Sequence, residues 1–183
     1  MSIKFEILPG LQKDVEDIVS LYDTVTGYLE SHINYPGWRK GIYPTREDAQ
    51  KGINEGTLSI LKIQGKIAGS IVVNGKQEKG YESVTWKSPA KQSDVAVIHT
   101  FMVHPDYKKM GFGEKLLEFA EETAKKQGKD VIRLDVYEKN APAIRLYKRM
   151  GYCFAGTADL GYSEYGLDLF QLYEKRVGER HGI

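Results

Sequence analysis

The chain has 183 residues, 41% hydrophobic and 28% charged, which is typical of one compact globular domain with a sizeable core. Lys and Arg number 26 against 25 Asp and Glu, a formal net charge of +1. This balance gives no indication of a nucleic-acid or membrane partner, so neither is expected.

Cysteine and histidine usage argues against disulfides and metal sites. Cys153 is the only cysteine, so no disulfide can form within the chain. The four histidines are scattered, unlike the ligands of a structural zinc site. The first ten residues carry no export signal, and no run approaches the roughly 20 apolar residues of a membrane span. We therefore expect a cytoplasmic protein without a metal.

Periodicity and turn residues predict the elements of the N-terminal half. They are a strand over 4–8, an amphipathic helix over 11–29, a short helix from Thr45 to about Asn54, and strands over 57–63 and 66–73. Thr45 and Asp48 have the spacing of a helix N-cap. Segment 31–44 is irregular and aromatic. Segment 76–93 is predicted as a loop, with strand in part of it left open.

The C-terminal half alternates strands and helices. The predicted elements are a strand over 94–103, a helix over 113–127, a strand over 131–137, a helix over 141–150, and strands over 152–158 and 167–174. Strands joined by a helical crossover are usually parallel neighbours, and hairpins flank this pair. We expect a mixed sheet in a single domain over 1–177, followed by a frayed tail over 178–183.

A glycine-containing turn joins the predicted strand over 94–103 to the next helix. Its sequence is Lys108-Lys109-Met110-Gly111-Phe112-Gly113. Backbone N–H groups at a helix start bind anions, and glycine lets the backbone approach a phosphate closely. A phosphate or pyrophosphate is the ligand indicated, although an ordinary helix start fits the same residues. The GxxxxGK[ST] loop of nucleotide kinases is absent.

A second motif, Asn-x-x-Ala-x-x-Leu-Tyr-x-Arg-x-Gly-Tyr, runs from Asn140 to Tyr152. Together with Lys-x-x-Gly-x-Gly it resembles the GNAT superfamily of N-acetyltransferases. The resemblance is specific over about 95–156 and looser elsewhere. It implies an α/β fold with a mixed, mostly antiparallel central sheet of about seven strands. A parallel pair would lie in its middle and helices on both faces.

The resemblance implies acetyl-CoA as cosubstrate and no metal. Backbone amides of the glycine loop would hold the pyrophosphate, and the end of the preceding strand would pair with the pantetheine arm. Lys108 stands where the family has Arg or Gln, which keeps the charge but alters the hydrogen-bond geometry. The residues so assigned are Phe101, Met102, Val103, Lys108, Lys109, Met110, Gly111, Phe112, Gly113, Glu114, Asn140, Ala143 and Tyr147. Asn140 fits a helix N-cap equally well.

The resemblance assigns Tyr147 the protonation of the departing thiolate. A phenol of reference pKa ~10 is a plausible acid for a thiolate of reference pKa ~8.5. Alternatively, Tyr147 packs on an apolar helix face with Ala143, Leu146 and Met150. Cys153, in a predicted strand, is more typical of a core residue than of an acyl-enzyme nucleophile.

His99 is the candidate base that accepts the proton of the attacking amine. Relatives often use Glu or His on this strand, and a period of two places His99 on one face with Val97, Phe101 and Val103. A reference pKa of ~6.5 suits a base at neutral pH. A half-buried structural histidine is the alternative. Other proton acceptors left open are Glu82, Asp94 and Glu138.

The implied function is transfer of an acetyl group to a primary amine by direct attack. The acceptor would be a small molecule, a peptide N-terminus or a lysine, and a homodimer is left open. The aromatic residues in the regions where the family binds its acceptor are Tyr28, Tyr35, Trp38, Tyr43, Trp86, Tyr162 and Tyr165. They would form the pocket wall or pack as ordinary loop residues. The rival interpretation is a non-catalytic sensor of acyl-CoA.

Overall fold

The computed structural model describes residues 3–177. The predicted frayed tail, 178–183, lies outside the described residues. Two compact units are distinguished within the chain. Unit 1 comprises residues up to 34, 38–72 and 99–119, and unit 2 comprises 35–37, 73–98 and the residues from 120 onward. The single domain over 1–177 stays a prediction.

Seven strands form one mixed sheet in the order β1-β2-β3-β4-β5-β7-β6. The strands are β1 (Phe5–Pro9), β2 (Leu58–Ile63), β3 (Lys66–Asn74), β4 (Val95–Val103), β5 (Val131–Tyr137), β6 (Cys153–Ala158) and β7 (Phe170–Arg176). The β4/β5 pair is parallel, whereas β1/β2, β2/β3, β5/β7 and β6/β7 are antiparallel. The predicted fold class, with a parallel pair in the middle of the sheet, is confirmed.

The four helices are α1 (Val15–Glu30), α2 (Arg46–Asn54), α3 (Phe112–Lys126) and α4 (Ala141–Arg149). In unit 1, the apolar face of α1 packs with β2 and with Met102 of β4 to form a buried core. The helix α2 starts as predicted, because Thr45 and Asp48 form a reciprocal capping box. Predicted to start at Leu11, α1 instead follows a 3₁₀ turn, where the Asp14 carboxylate accepts the Leu11 N–H at 3.0 Å.

In unit 2, β7 lies between β5 and β6, so β6 is the edge strand. The core here packs Tyr81 against Val95 and Val97 of β4 and against Phe170 and Leu172 of β7. Segment 76–93 contains 3₁₀ turns and no strand. The prediction that Cys153 packs in the core is wrong. It opens the edge strand, where Ala158 is the one buried residue, and its side chain is exposed.

Candidate active site

The glycine loop of unit 1 connects β4 to α3 through a short 3₁₀ turn. The His104 ring nitrogen Nδ1 accepts the Asp106 N–H at 3.2 Å and so caps this turn. Lys109 and Gly111 have left-handed backbones, with φ of 61° and 85°. Next to Gly111 the space is open: no described atom lies within 4 Å of where a Cβ would stand. The loop therefore offers an exposed backbone at a helix start, where N–H groups attract anions.

The side chains of the loop divide between solvent and core. Lys108, Lys109 and Met110 are exposed. Phe112 begins α3 one residue earlier than predicted, and its ring is buried against Phe5 and Tyr107. Because the ring is buried, only the backbone N–H of Phe112 is suited to contact an anionic ligand. Its side chain anchors the helix start.

Lys108, the predicted phosphate contact, lies over an aromatic ring of α1. Its ammonium nitrogen is 3.8 Å from the centroid of Tyr28, a cation–π distance. On α1 the Tyr28 ring also stacks on His32, with centroids 3.8 Å apart and an interplanar angle of 11°. The exposed Lys108 ammonium is thus held beside the loop by a contact with the Tyr28 ring.

Strand β4 carries an irregularity beside the candidate base. Thr100 has φ of 45°, a left-handed conformation in the middle of an otherwise extended strand. A left-handed residue interrupts the regular alternation of a strand, so the placement of His99 and Phe101 on one face stays a prediction. His99, Phe101 and Val103 are half-buried, whereas Met102 is buried in the core of unit 1.

In unit 2, Asn140 is the N-cap of α4. Its side-chain oxygen accepts the Ala143 N–H at 3.4 Å, so the structural alternative for Asn140 is confirmed. Ala143 is half-buried in the first turn of the helix. A capping role leaves the assignment of Asn140 to the pantetheine arm as a prediction, since one amide side chain can serve both.

Tyr147 is buried in an aromatic cluster on α4. Its side chain is 6% exposed, with the ring centroids of Tyr152 and Tyr173 at 6.0 and 6.4 Å. Burial, and then the negative charge of Asp135, raise the pKa of Tyr147 above that of an ordinary phenol. Both causes disfavour the phenolate. The hydroxyl therefore stays protonated and acts as a hydrogen-bond donor.

Asp135 is a site residue that the sequence analysis missed. It lies on β5, half-buried, and its carboxylate accepts the hydroxyl of the buried Tyr81 at 2.7 Å. Its charge also raises the pKa of both Tyr81 and Tyr147. The indication in the sequence was a carboxylate within a strand that is apolar apart from Asp135 and Arg133. Such groups are rarely buried without a partner.

The remaining candidates differ in exposure. Glu82 is exposed, whereas Asp94 and Glu138 are half-buried. Among the aromatic residues predicted to line the acceptor pocket, Trp86 stacks on the buried guanidinium of Arg133 at 3.9 Å, and Trp38 packs on the core of unit 1. Both therefore have structural partners. Tyr162 and Tyr165 are exposed.

Across the described part of the chain, the His, Cys, Asp and Glu side chains form no group of three or more that could hold a metal ion. Within the same residues, no helix is long and apolar enough to cross a membrane.

A mixed sheet with a glycine loop opening a helix after its central strand defines an α/β protein whose helix start presents open backbone. The profile of the acetyltransferase (GNAT) family matches residues 19–152. Because the match covers most of the chain, the chain belongs to this family.

Two relatives show how far the sequence likeness extends. The uncharacterized N-acetyltransferase MJ1207 of Methanocaldococcus jannaschii is 29% identical over 137 residues, covering 71% of this chain and 57% of MJ1207. The S-(2-succino)cysteine N-acetyltransferase of Bacillus subtilis is 30% identical over 113 residues, covering 61% of this chain and 63% of that enzyme. The matched part spans less than two thirds of either relative's length.

Among solved structures, yncA of Salmonella typhimurium, solved with its cofactor acetyl-CoA, is similar with a TM-score of 0.69. Its sequence identity is 17%, and the match covers 97% of this chain and 96% of that one. At this identity the likeness concerns the fold.

Proposed function

We propose that this protein is an N-acetyltransferase that moves the acetyl group of acetyl-CoA to a primary amine. The observation that carries the proposal is the loop before α3, where a left-handed Gly111 presents open backbone at a helix start. Family membership and the acetyl-CoA of a structural relative support the identity of the cosubstrate.

The residues present fit acetyl-CoA. Backbone N–H groups from Met110 to Glu114 would hold the pyrophosphate, with Lys108 and Lys109 supplying positive charge. The end of β4, from Phe101 to Val103, would bind the pantetheine arm. The contact that the family resemblance assigns to Asn140 and Ala143 of unit 2 is a separate proposal. One N–H of this strand segment would donate to the thioester carbonyl, where negative charge develops during attack.

Acetyl-CoA supplies an activated acyl group, and the protein positions the amine and moves its proton. A C–N bond forms between the amine and the acetyl carbon as the C–S bond breaks, and the electron pair of that bond stays on sulfur. Tyr147 would donate a hydrogen bond to this sulfur. Since burial and Asp135 raise the pKa of Tyr147, a hydrogen bond in the transition state is its main contribution.

The acceptor is proposed to be a small molecule, a peptide N-terminus or a lysine. A relative named for N-acetylation of S-(2-succino)cysteine supports a small amine. The exposed Tyr162 and Tyr165 offer apolar ring surface in unit 2. An apolar or aromatic amine is therefore the first class to test.

The proposal is tested by measuring thiol release from acetyl-CoA across a panel of amines, with acetyl-CoA binding measured separately. Turnover of at least one amine is expected. Tight binding without turnover, extended to peptides and protein extracts, would instead indicate an acyl-CoA sensor. If acetyl-CoA does not bind, the assignment of the glycine loop is wrong.

We expect Gly111→Ala to weaken acetyl-CoA binding about tenfold, because a Cβ would stand in the open space beside the loop backbone. Gly128 is the matched control, since it also has a positive φ, of 70°, and open space around it. Gly128→Ala carries the same backbone strain at the other end of α3, so acetyl-CoA binding should be unaffected. Equal weakening in both variants, measured by calorimetry, would attribute the effect to strain alone.

His99 is the proposed base, and Asp135 is the alternative that the structure adds. We expect His99→Gln to lower kcat/KM about tenfold, because the attacking amine would lose its proton acceptor. Asp135→Asn is the parallel variant, which keeps an acceptor for the Tyr81 hydroxyl. A loss of kcat/KM in Asp135→Asn, with His99→Gln unaffected, would transfer the role to Asp135.

A further inference from the structure

A cluster of hydroxyl groups in unit 1 has no part in the function proposed above. The Tyr43 and Thr100 hydroxyls are 2.6 Å apart, joining the aromatic segment 31–44 to β4. Nearby, on α1 and β3, are the hydroxyls of Tyr22, which is 2% exposed, and Ser70, which is fully buried. Neither of these two reaches good hydrogen-bond geometry with another described residue. Tyr43 and Thr100 are themselves half-buried, so the cluster lies partly out of solvent.

Thr100 is held in an unfavourable conformation. Its φ of 45° brings Cβ close to the backbone, and for a β-branched residue a positive φ is a genuine outlier. Such a conformation persists where the surroundings impose it, and it is found preferentially at functional sites. Glycine or asparagine would adopt this conformation with less strain. The presence of a threonine here therefore indicates that its hydroxyl has a role.

The partner of that hydroxyl is itself firmly placed. The Tyr43 ring meets the Trp38 ring edge to face, with centroids 5.7 Å apart and an interplanar angle of 78°. Trp38 in turn packs against the core formed by α1 and β2. The Tyr43 hydroxyl is therefore a fixed point from which Thr100 can be held.

A left-handed residue in a strand redirects the backbone that follows it. Here the next residues are Phe101, Met102 and Val103, the segment proposed to bind the pantetheine arm and to donate an N–H to the thioester carbonyl. We propose that Tyr43 is a positioning residue of acetyl transfer, whose hydroxyl holds the turn at Thr100 and so aims these backbone N–H groups. This inference rests on the proposed function and gives Tyr43 a role apart from the wall of an acceptor pocket.

The test compares Tyr43→Phe with Thr100→Ser, which keeps the hydroxyl. Tyr43→Phe is expected to lower kcat at least fivefold while the KM of the amine and the Kd of CoA change less than twofold. Thr100→Ser should stay within twofold of wild type. Adding Thr100→Gly to Tyr43→Phe should restore at least half of the lost kcat, because glycine adopts a positive φ without a holding bond.

Three outcomes with an active wild type would overturn the inference. The first is a Tyr43→Phe variant that keeps its kcat, and the second is a loss of kcat that Thr100→Gly does not rescue. The third is a loss of kcat that comes with a raised KM for the amine, since Tyr43 would then act on the acceptor directly.

A second readout does not need turnover, so it separates this inference from the proposed function. The amide resonances of residues 101–103 are compared between the acetyl-CoA and CoA complexes by NMR. The difference in amide chemical shift between the two complexes should be smaller in Tyr43→Phe than in wild type. An unchanged difference overturns the inference, whereas a wild type that binds acetyl-CoA and acetylates nothing contradicts only the proposed function.

Discussion

Tyr147→Phe is expected to lower kcat about 100-fold, close to 3 kcal/mol in the transition state, while the Kd of acetyl-CoA changes little. The variant keeps the buried ring and its packing against Tyr152 and Tyr173. It removes the hydroxyl that would donate to sulfur as negative charge develops there. Steady-state kinetics with the best amine of the panel give the measurement.

Tyr152→Phe is the matched control for this variant. Tyr152 is also buried, at 3% exposed, and lies in the same aromatic cluster, but no catalytic part is assigned to it. We expect its kcat to stay within twofold of wild type. Equal losses in both variants would show that the cluster, and not the Tyr147 hydroxyl, sustains activity.

The pKa of Tyr147 adds a prediction about pH. Because its pKa is raised above the ordinary value of ~10, the hydroxyl stays protonated at neutral and mildly alkaline pH. Tyr147 should therefore contribute no falling alkaline limb to kcat below pH ~10. A limb in that range that disappears in Tyr147→Phe would contradict this electrostatic account.

Arg133→Met is expected to lower the free energy of unfolding by about 3–5 kcal/mol. Arg133 and Glu174 are paired across β5 and β7 and are 5% and 2% exposed, with their charged groups 3.6 Å apart. Arg133 also bonds Gln77 at 2.7 Å and lies over the Trp86 ring. Removing the cation leaves the Glu174 carboxylate buried without its counter-charge. Urea denaturation, followed by the fluorescence of the two tryptophans, gives the measurement.

The double variant Arg133→Met/Glu174→Gln tests the cause. The introduced amide oxygen would still accept the Ser88 N–H that Glu174 accepts at 2.8 Å, while the uncompensated charge is gone. At least half of the lost stability should return. The exposed pair Lys115–Glu118 is the reference, and Lys115→Gln should change stability by less than ~0.5 kcal/mol. A double variant as unstable as Arg133→Met would assign the loss to packing.

Features set by neighbouring residues were predictable from the sequence. The strand over 131–137 was predicted with its observed bounds, because a mostly apolar segment lies between clear turns. The start of α2 at Thr45 and the cap of α4 at Asn140 depend on hydrogen bonds three residues apart, so their sequence spacing suffices. The glycine loop was also predictable, because its glycines and lysines are neighbours in the sequence.

Features that join distant parts of the chain were not predictable. The placement of β7 between β5 and β6 decided that Cys153 opens an edge strand and is exposed. The same placement put Glu174 opposite Arg133. The period of two predicted a face for His99, but it could not predict the left-handed backbone of Thr100 beside it. The Thr100 hydroxyl is hydrogen-bonded to a tyrosine 57 residues away in the chain.

The sequence by itself therefore determined the order of elements, the loop that opens α3 and the family, since short-range hydrogen bonds and a local motif encode them. The tertiary structure decided which buried and half-buried polar groups meet: Asp135 with Tyr81, Arg133 with Glu174, and Tyr43 with Thr100. Such meetings depend on strand pairing and on packing between segments far apart in the chain. Apolar periodicity says that a residue is buried, but the partner of a buried polar group is set by the fold.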